Sequence, residues 1–196
     1  MHRELHFPTP IYIADIKHPT LNQELERDIL AWSKQDKGIV RTNVQGWHST
    51  TNMHELPQFK KLVDMLYACQ KTIYEQEYYE SEPFLGNMWA NINPPGGMNR
   101  AHQHPNSLWS GVYYIRVPEN SGKLFIEDPR PGPQTYMPRR LENLPKALWR
   151  VVAYEPKEGR MVFFPSWLPH GVDINQSKEQ GEASWRISVS FNFIQT

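Results

Sequence analysis

Two histidines separated by one residue, His102 and His104, lie between two stretches that are typical of β-strands. In an extended segment, the side chains of residues i and i+2 point to the same face. The two imidazoles could therefore bind one metal ion if a third ligand came from another part of the chain. Alone, the pair is a weak signal, because an exposed turn also accommodates two histidines.

His170 is the candidate third ligand. It follows a strand pattern over Gly159–Phe164 that stops at Pro165, after which a short turn presents the imidazole. Ligands from separate strands are typical of barrels and sandwiches, whose interiors collect distant segments around one cavity. Imidazoles with open coordination positions suit iron, zinc, copper or nickel, so the ligand types leave the metal open.

A further polar pattern lies near the end of the chain, where Arg186–Ile194 alternates polar and apolar residues. Its polar face begins with Arg186 and Ser188. A guanidinium can hold a carboxylate through two parallel hydrogen bonds, and a hydroxyl on the same face adds a third. Asn91 and Asn93 form a second polar pair on one face of an earlier strand. These residues predict a site for a carboxylate ligand.

The elements that would position these residues differ between the two halves of the chain. In residues 1–82, we predict a strand over Leu5–Ile16, a helix over Leu21–Ser33 capped by Thr20, and a helix over Leu56–Tyr78. In residues 83–196, runs of strand-forming residues predict strands over Phe84–Asn93, Leu108–Val117, Lys123–Ile126, Trp149–Tyr154, Gly159–Phe164 and Arg186–Ile194. Helices followed by many short strands predict an α+β chain that is mainly β.

Composition narrows the class of protein. The 196 residues suit a single domain spanning 1–196, and the formal charge is zero, with 21 basic and 21 acidic residues. This balance argues against a nucleic-acid or membrane-surface partner, which would require a basic face. With Cys69 as the one cysteine and no apolar run of signal-peptide or membrane-spanning length, we predict a protein of the cytoplasm.

Taken in order, these segments resemble the iron(II)/2-oxoglutarate-dependent oxygenases, and in particular a little-characterised group within them. The resemblance covers residues 85–195. It rests on the histidine pair, the distal histidine after a strand and proline, and Arg-x-Ser beyond them. The matching segments are His104–Tyr114, Phe125–Arg130, Phe164–His170 and Arg186–Asn192.

The resemblance implies a double-stranded β-helix (jelly roll) as the catalytic core over 83–196, with the N-terminal helices packed on its major sheet. It implies Fe(II) held by His102, His104 and His170, with no catalytic side chain beyond these ligands. It implies 2-oxoglutarate held by Arg186 and Ser188, to which we expect Asn91 or Asn93 to add a hydrogen bond. The reaction implied is hydroxylation of a small molecule or a peptide side chain, with release of succinate and carbon dioxide.

One position departs from the family pattern, because His104 stands where these enzymes usually have a carboxylate ligand. We favour a site of three histidines, since the spacing of His102 and His104 already satisfies the geometry. The alternative is that only one of them binds and that a carboxylate such as Asp128 completes the site. Three neutral ligands would leave the iron more positive, and dianionic 2-oxoglutarate would offset that charge.

Two other classes of protein fit part of the pattern. One is a cupin-like dioxygenase with three histidine ligands that does not use 2-oxoglutarate, since Gly159, Pro165, His170 and Asn175 roughly match the second cupin motif. The other is a β-sandwich that binds a metal or small ligand without catalysis. Among the remaining polar and aromatic residues, we expect His48 and His54 to be solvated or capping, and Tyr113 and Tyr114 to pack in the core.

Overall fold

The computed structural model describes residues 1–4, 6–136 and 138–196. Within these residues, the α-helices α1 to α3 span Pro19–Gln35, Lys60–Gln76 and Pro131–Thr135. The strands β1 to β11 span Tyr12–Asp15, Asn43–Val44, Trp47–His48, Phe84–Asn93, Met98–His102, Trp109–Arg116, Leu124–Glu127, Val151–Tyr154, Arg160–Pro165, His170–Val172 and Arg186–Ile194. No helix in this part of the chain has the length and apolar character needed to cross a bilayer.

In the described part of the chain, the strands form two antiparallel sheets. The major sheet has the order β1-β9-β6-β11-β4-β3, and the minor sheet has the order β2-β5-β10-β7-β8. β11 lies inside the major sheet, where Val189 pairs with Ala90 of β4 and with Tyr113 of β6. Because most neighbouring strands are distant in sequence, each sheet brings together side chains from separate segments.

The outer face of the major sheet is covered by α1 and α2. Leu21, Leu25 and Ile29 recur every four residues along α1, so their side chains form one stripe on the helix. Leu62 and Leu66 begin a matching stripe on α2. Both stripes pack in one continuous core with the outward-facing side chains of β11, which are Ile187, Val189, Phe191 and Phe193.

The inner faces of the two sheets enclose a second, smaller apolar core. Val112 and Phe164 of the major sheet meet Leu124 and Ile126 of the minor sheet there. These side chains fill only part of the space between the sheets. The remaining inner surface of β4, β6 and β11 is polar and lines a cavity, which positions the candidate site described below.

The predicted strands after residue 83 agree with the observed ones to within two residues at each end. The first strand is shorter than predicted, Tyr12–Asp15, because Pro8 and Pro10 lack the N–H groups that pairing needs. Leu5, with which the predicted strand began, lies outside the described residues.

The prediction that Thr20 is the N-cap of α1 was wrong. The helix begins at Pro19, and the His18 side chain accepts a hydrogen bond from the backbone N–H of Leu21 (3.2 Å). Proline favours the first position of a helix, since its fixed φ suits the helix and that position needs no donor.

The organisation of 1–196 as a single domain stays a prediction.

Candidate functional site

The three histidines come together at the edge of the cavity. His102 ends β5 and His170 begins β10, and the two residues are directly opposite each other in the antiparallel pair of strands. His104 follows in the loop after β5, where its backbone N–H donates to Ser166 O (3.1 Å). One nitrogen from each imidazole lies within 4.8 Å of the other two, so the group could hold a metal ion. The spacing of His104 Nε2 and His170 Nε2 is 3.1 Å.

Backbone carbonyls orient two of the three rings. His102 Nδ1 donates to Arg100 O (2.7 Å), and His170 Nδ1 donates to Leu168 O (2.8 Å). A carbonyl oxygen can only accept, so each Nδ1 carries the proton and each Nε2 keeps its lone pair. This is the arrangement by which proteins prepare histidine for binding a metal through Nε2.

His104 has a different partner. Its Nδ1 lies 3.3 Å from Asn192 Nδ2, which also donates to Asn87 Oδ1 (2.7 Å). In this arrangement the amide donates to His104 Nδ1, and His104 Nε2 carries the proton that it shares with His170 Nε2. Turning the Asn192 amide would present its oxygen, so that His104 Nδ1 would donate as in the other two histidines.

Burial keeps all three imidazoles neutral at pH 7. Burial, together with the smaller effect of nearby imidazoles, lowers the pKa of His104 to about 3 and that of His170 to about 4. Burial also lowers the pKa of His102. Because a metal competes with protons for histidine nitrogens, neutral rings favour metal binding.

Arg186 lies elsewhere on the cavity wall, at the start of β11. Its side chain is 1% exposed, and its Nη1 group donates to the backbone carbonyls of Ser121 and Gly122. Gly122 has a φ of 89°, and a side chain there would collide with Asp173 O. Glycine at this position therefore permits the backbone to lie close to both Asp173 O and the Arg186 guanidinium. Burial lowers the pKa of the Arg186 guanidinium. Among the described residues, the lining of the cavity includes no Asp or Glu.

Two hydroxyl groups belong to the same part of the cavity. Ser188 and Tyr114 are opposite each other in the pairing of β11 with β6, and both line the cavity. The Tyr114 hydroxyl is buried and makes no hydrogen bond with the described residues, and burial raises its pKa to about 12. An unpaired buried donor beside a buried guanidinium is suited to an anionic ligand. Both tyrosines pack in apolar cores as expected, Tyr113 in the outer one and Tyr114 in the inner one, where Tyr114 also lines the cavity.

The two asparagines of β4 have different positions. Asn91 lines the cavity, where its Nδ2 group donates to Ser190 Oγ (3.0 Å) and its Oδ1 has no partner among the described residues. Asn93 lies outside the cavity lining, with its Nδ2 3.5 Å from Asn99 Oδ1. Asp128 is also outside the lining, and its carboxylate pairs with the Arg130 guanidinium (2.6 Å). This placement does not support Asp128 as a metal ligand.

The cavity has a volume of about 330 Å³ and is lined by two further aromatic residues, His48 and Trp89, to which the sequence assigned no role in the site. His48 was expected to be solvated, but it is buried and stacks on Trp89 with ring centroids 5.4 Å apart. Trp89 in turn lies 5.7 Å from the His104 ring. No periodic pattern marks His48, because its two-residue strand β3 exists only through pairing with β4.

Several solved structures share this fold. A prolyl-4-hydroxylase of Pseudomonas putida is 15% identical, with a TM-score of 0.66 over 96% of this chain and 94% of that chain. HygX of Streptomyces hygroscopicus, solved with nickel and 2-oxoglutarate bound, is 10% identical, with a TM-score of 0.65 over 96% and 84% of the two chains. The α-ketoglutarate-dependent epimerase SnoN of nogalamycin biosynthesis is 11% identical, with a TM-score of 0.69 over 95% and 79%. The predicted jelly-roll fold is thereby confirmed.

A family model described as "Putative 2OG-Fe(II) oxygenase" matches residues 87–192, which is more than half of the chain. The chain therefore belongs to the 2OG-Fe(II) oxygenase family, and its cofactors are Fe(II) and 2-oxoglutarate. No curated protein is significantly similar in sequence. The matched segment includes the three histidines, Arg186 and Ser188.

Proposed function

We propose that this protein is an Fe(II)- and 2-oxoglutarate-dependent hydroxylase, which releases succinate and carbon dioxide as it oxidises its substrate. The observation that carries the proposal is the presence of three clustered imidazoles and a buried guanidinium in one cavity. The imidazoles suit a metal ion, and the guanidinium suits the far carboxylate of a dicarboxylate ligand. Membership of the family supports both assignments.

We assign the metal to His102, His104 and His170. Their side chains fit a metal ion because they are neutral, clustered and, in two cases, already oriented by backbone carbonyls. When bound, Fe(II) and 2-oxoglutarate supply the oxidising chemistry, in which dioxygen and 2-oxoglutarate yield succinate, carbon dioxide and one oxygen atom for the substrate. Three neutral ligands would leave the ion its full positive charge, and binding of dianionic 2-oxoglutarate would offset it.

We assign the far carboxylate of 2-oxoglutarate to Arg186, Ser188 and Tyr114. The guanidinium offers a fork of N–H groups, and each hydroxyl offers one O–H donor. All three side chains are buried, so water competes weakly for the carboxylate and each hydrogen bond is strengthened. Of the two asparagines predicted to assist, Asn91 is the better placed, since it lines the cavity.

The substrate class is supported only in outline. Structural neighbours include a prolyl hydroxylase of Trichoplax adhaerens in complex with a peptide fragment, and HygX with hygromycin B bound. We propose either a small molecule or a peptide side chain, hydroxylated at a carbon that the cavity brings beside the metal. Location in the cytoplasm stays a prediction.

The buried guanidinium also separates this proposal from its rivals. A three-histidine dioxygenase that chelates its substrate directly has no need of Arg186, and neither has a β-sandwich that only binds a metal. Among the described residues no carboxylate forms an ion pair with Arg186, although the charge of Asp173 is near enough to favour the guanidinium. Keeping this arginine buried therefore costs free energy, which a bound dicarboxylate would offset.

Anaerobic titration with Fe(II) and then 2-oxoglutarate tests the proposal. We expect a metal-to-ligand charge-transfer band in the visible spectrum when both are present, and its absence with either alone. The Arg186→Gln variant should need much more 2-oxoglutarate to develop the band, whereas Arg140→Gln, which removes a charge from a distant loop, should behave like wild type. If wild type develops no band and does not bind 2-oxoglutarate, the protein is not an oxygenase of this type.

A further inference from the structure

The outer part of the cavity is built differently from the part that holds Arg186. Its exposed lining residues, Arg41, Thr51 and Gln103, mark the opening to solvent. Just inside this opening lies His48, whose side chain is buried against Trp89. Neither Arg41 nor His48 has a role in the proposed binding of the metal or of 2-oxoglutarate.

His48 presents a hydrogen-bond acceptor to the cavity. Its Nδ1 lies 2.6 Å from Ser49 O, and since a carbonyl can only accept, Nδ1 carries the proton of the neutral ring. Nε2 therefore holds a lone pair, and it makes no hydrogen bond to the residues that the structure describes. Stacking on Trp89, at an interplanar angle of 7°, holds the ring in this orientation.

This acceptor does not match 2-oxoglutarate. That dianion has two carboxylates and a keto group, all of which accept hydrogen bonds and none of which donates. An acceptor such as His48 Nε2 therefore needs a ligand with an N–H or O–H group. Asn91, on the strand paired with β3, has an Oδ1 without a partner among the described residues, and this acceptor also requires an N–H or O–H group on the ligand.

The charge of the cavity adds a second requirement. In the described part of the chain, its lining contains the guanidinium groups of Arg41 and Arg186 but no Asp or Glu. Arg186 is deep and is assigned to 2-oxoglutarate, which leaves Arg41 at the opening. The Arg41 backbone N–H donates to Asn43 Oδ1 (2.7 Å), and no carboxylate of the described residues pairs with its side chain. Its positive charge is near enough to His48 to contribute to the lowered pKa of that ring.

We propose that the opening of the cavity recognises a substrate that carries a carboxylate next to an N–H group, as an amino acid or the C-terminal residue of a peptide does. Arg41 binds the carboxylate, and His48 Nε2 accepts the hydrogen bond from the N–H group. The inference rests on the proposed function, since it assumes that 2-oxoglutarate occupies Arg186 and the metal.

Three small probes isolate the two requirements. N-acetylglycine has both the carboxylate and the N–H group, N-acetylglycinamide lacks the charge at the carboxyl end, and N-acetyl-N-methylglycine lacks the N–H group. Their binding would be measured by calorimetry to the protein saturated with Zn(II) in place of Fe(II) and with 2-oxoglutarate, so that no turnover occurs. Free glycine, which has an ammonium in place of the acylated nitrogen, distinguishes a free amino acid from a peptide C-terminus.

We expect N-acetylglycine to bind about tenfold more tightly than either of the other two acylated probes, the factor that one charge-assisted hydrogen bond supplies. Arg41→Gln should remove the advantage over the amide and keep the advantage over the N-methyl probe. His48→Phe, which keeps the stacking on Trp89, should do the reverse. Arg140→Gln, a loss of charge outside the cavity, should change neither.

Equal binding of the acylated probes, no binding of any of them, or a preference for N-acetylglycine over the amide that survives Arg41→Gln would overturn the proposal. The probe comparison in wild type needs no variant, so misfolding of His48→Phe cannot obscure the result. The affinity for 2-oxoglutarate is measured in the same protein. If 2-oxoglutarate fails to bind, the proposed function is wrong; if it binds and the preferences are missing, only this assignment is wrong.

Discussion

The two faces of β11 bury different kinds of side chain. On the outer face, Ile187, Val189, Phe191 and Phe193 are each 0% exposed and pack with α1 and α2. On the inner face, Arg186, Ser188, Ser190 and Asn192 line the cavity between the sheets. The same nine residues thus contribute to a dry apolar layer on one side and a polar site on the other.

This difference separates stability from chemistry. Each fully buried apolar side chain of the outer face contributes about 1.5–3 kcal/mol to folding. The inner face of β11 buries polar side chains instead of apolar ones. Their desolvation disfavours folding unless they form hydrogen bonds or ion pairs. Substitutions on the outer face should therefore affect mainly unfolding, and those on the inner face mainly the binding of metal and co-substrate.

The largest effect is expected on the outer face. Phe191→Ala should lower the free energy of unfolding by about 3–5 kcal/mol, because it leaves a cavity in the best-packed layer. Phe191 is paired with Gly111 of β6, and its ring occupies the space above that glycine, where a side chain on residue 111 would collide with the ring. Urea unfolding of the metal-free protein measures the change. Phe84→Ala, at an exposed position of β4, should cost less than about 0.5 kcal/mol, and similar losses for the two variants would contradict the comparison.

Arg186→Met should weaken 2-oxoglutarate binding by about 2–5 kcal/mol, since the ligand's carboxylate would lose a buried charged partner. The same change should leave the free energy of unfolding of the ligand-free protein unaltered or raise it, because a buried cation is replaced by an apolar chain. Calorimetry and urea unfolding measure the two quantities. Arg186→Lys, which keeps the charge and loses the fork, should give intermediate binding. Unchanged 2-oxoglutarate affinity in Arg186→Met would refute the assignment.

Asn192→Ala should lower metal affinity by about 10–100-fold, because it removes the side chain that orients His104. With its amide turned, Asn192 would accept from His104 Nδ1 and leave Nε2 free for the metal. Competition with a chelator measures the affinity without any turnover. Ser190 lies at the neighbouring inner-face position, where its hydroxyl accepts from Asn91 and forms no hydrogen bond to a histidine of the described residues. Ser190→Ala should therefore leave metal affinity nearly unchanged. A loss in Ser190→Ala equal to that in Asn192→Ala would show that His104 does not depend on Asn192.

The free energy of unfolding of the metal-free protein should also depend on pH. In the metal-free folded protein the pKa values of His104 and His170 are about 3 and about 4, below the ordinary value of 6.5. As the pH falls below about 6.5, the unfolded state takes up protons that the folded state refuses, so the free energy of unfolding falls until these lower values are reached. Urea midpoints between pH 7.5 and 4, taken at constant ionic strength, measure the loss. The double variant His104→Gln, His170→Gln should give a flatter profile, and an identical profile would contradict the cause.

Much of the sheet could be predicted because its long strands are rich in strand-forming residues. Phe84–Asn93 and Arg186–Ile194 were predicted to the residue, and the second also alternates polar and apolar residues along its length. The strands that carry His102, His170 and His48 were missed. They have five, three and two residues, and their pairing with neighbours rather than any pattern of their own makes them strands.

The candidate site was predicted in part for the same reason. Arg186 and Ser188 stood out on a regular strand, and the grouping of the three histidines, though not their binding of metal, is present in the structure. Tyr114 and His48 could not have been found by periodicity. Their proposed roles depend on which residue lies opposite them in a neighbouring strand, Ser188 for Tyr114 and Asn91 for His48.

The sequence by itself determined the order of the histidines and the arginine, the two faces of β11, and the family to which the chain belongs. These are properties of residue type and local spacing. The tertiary structure alone decided which distant side chains meet: His102 with His170, His104 with Asn192, and Tyr114 with Ser188. The physical reason is strand register, since a shift of one residue would turn every inner side chain outward, and register depends on the packing of the whole sandwich.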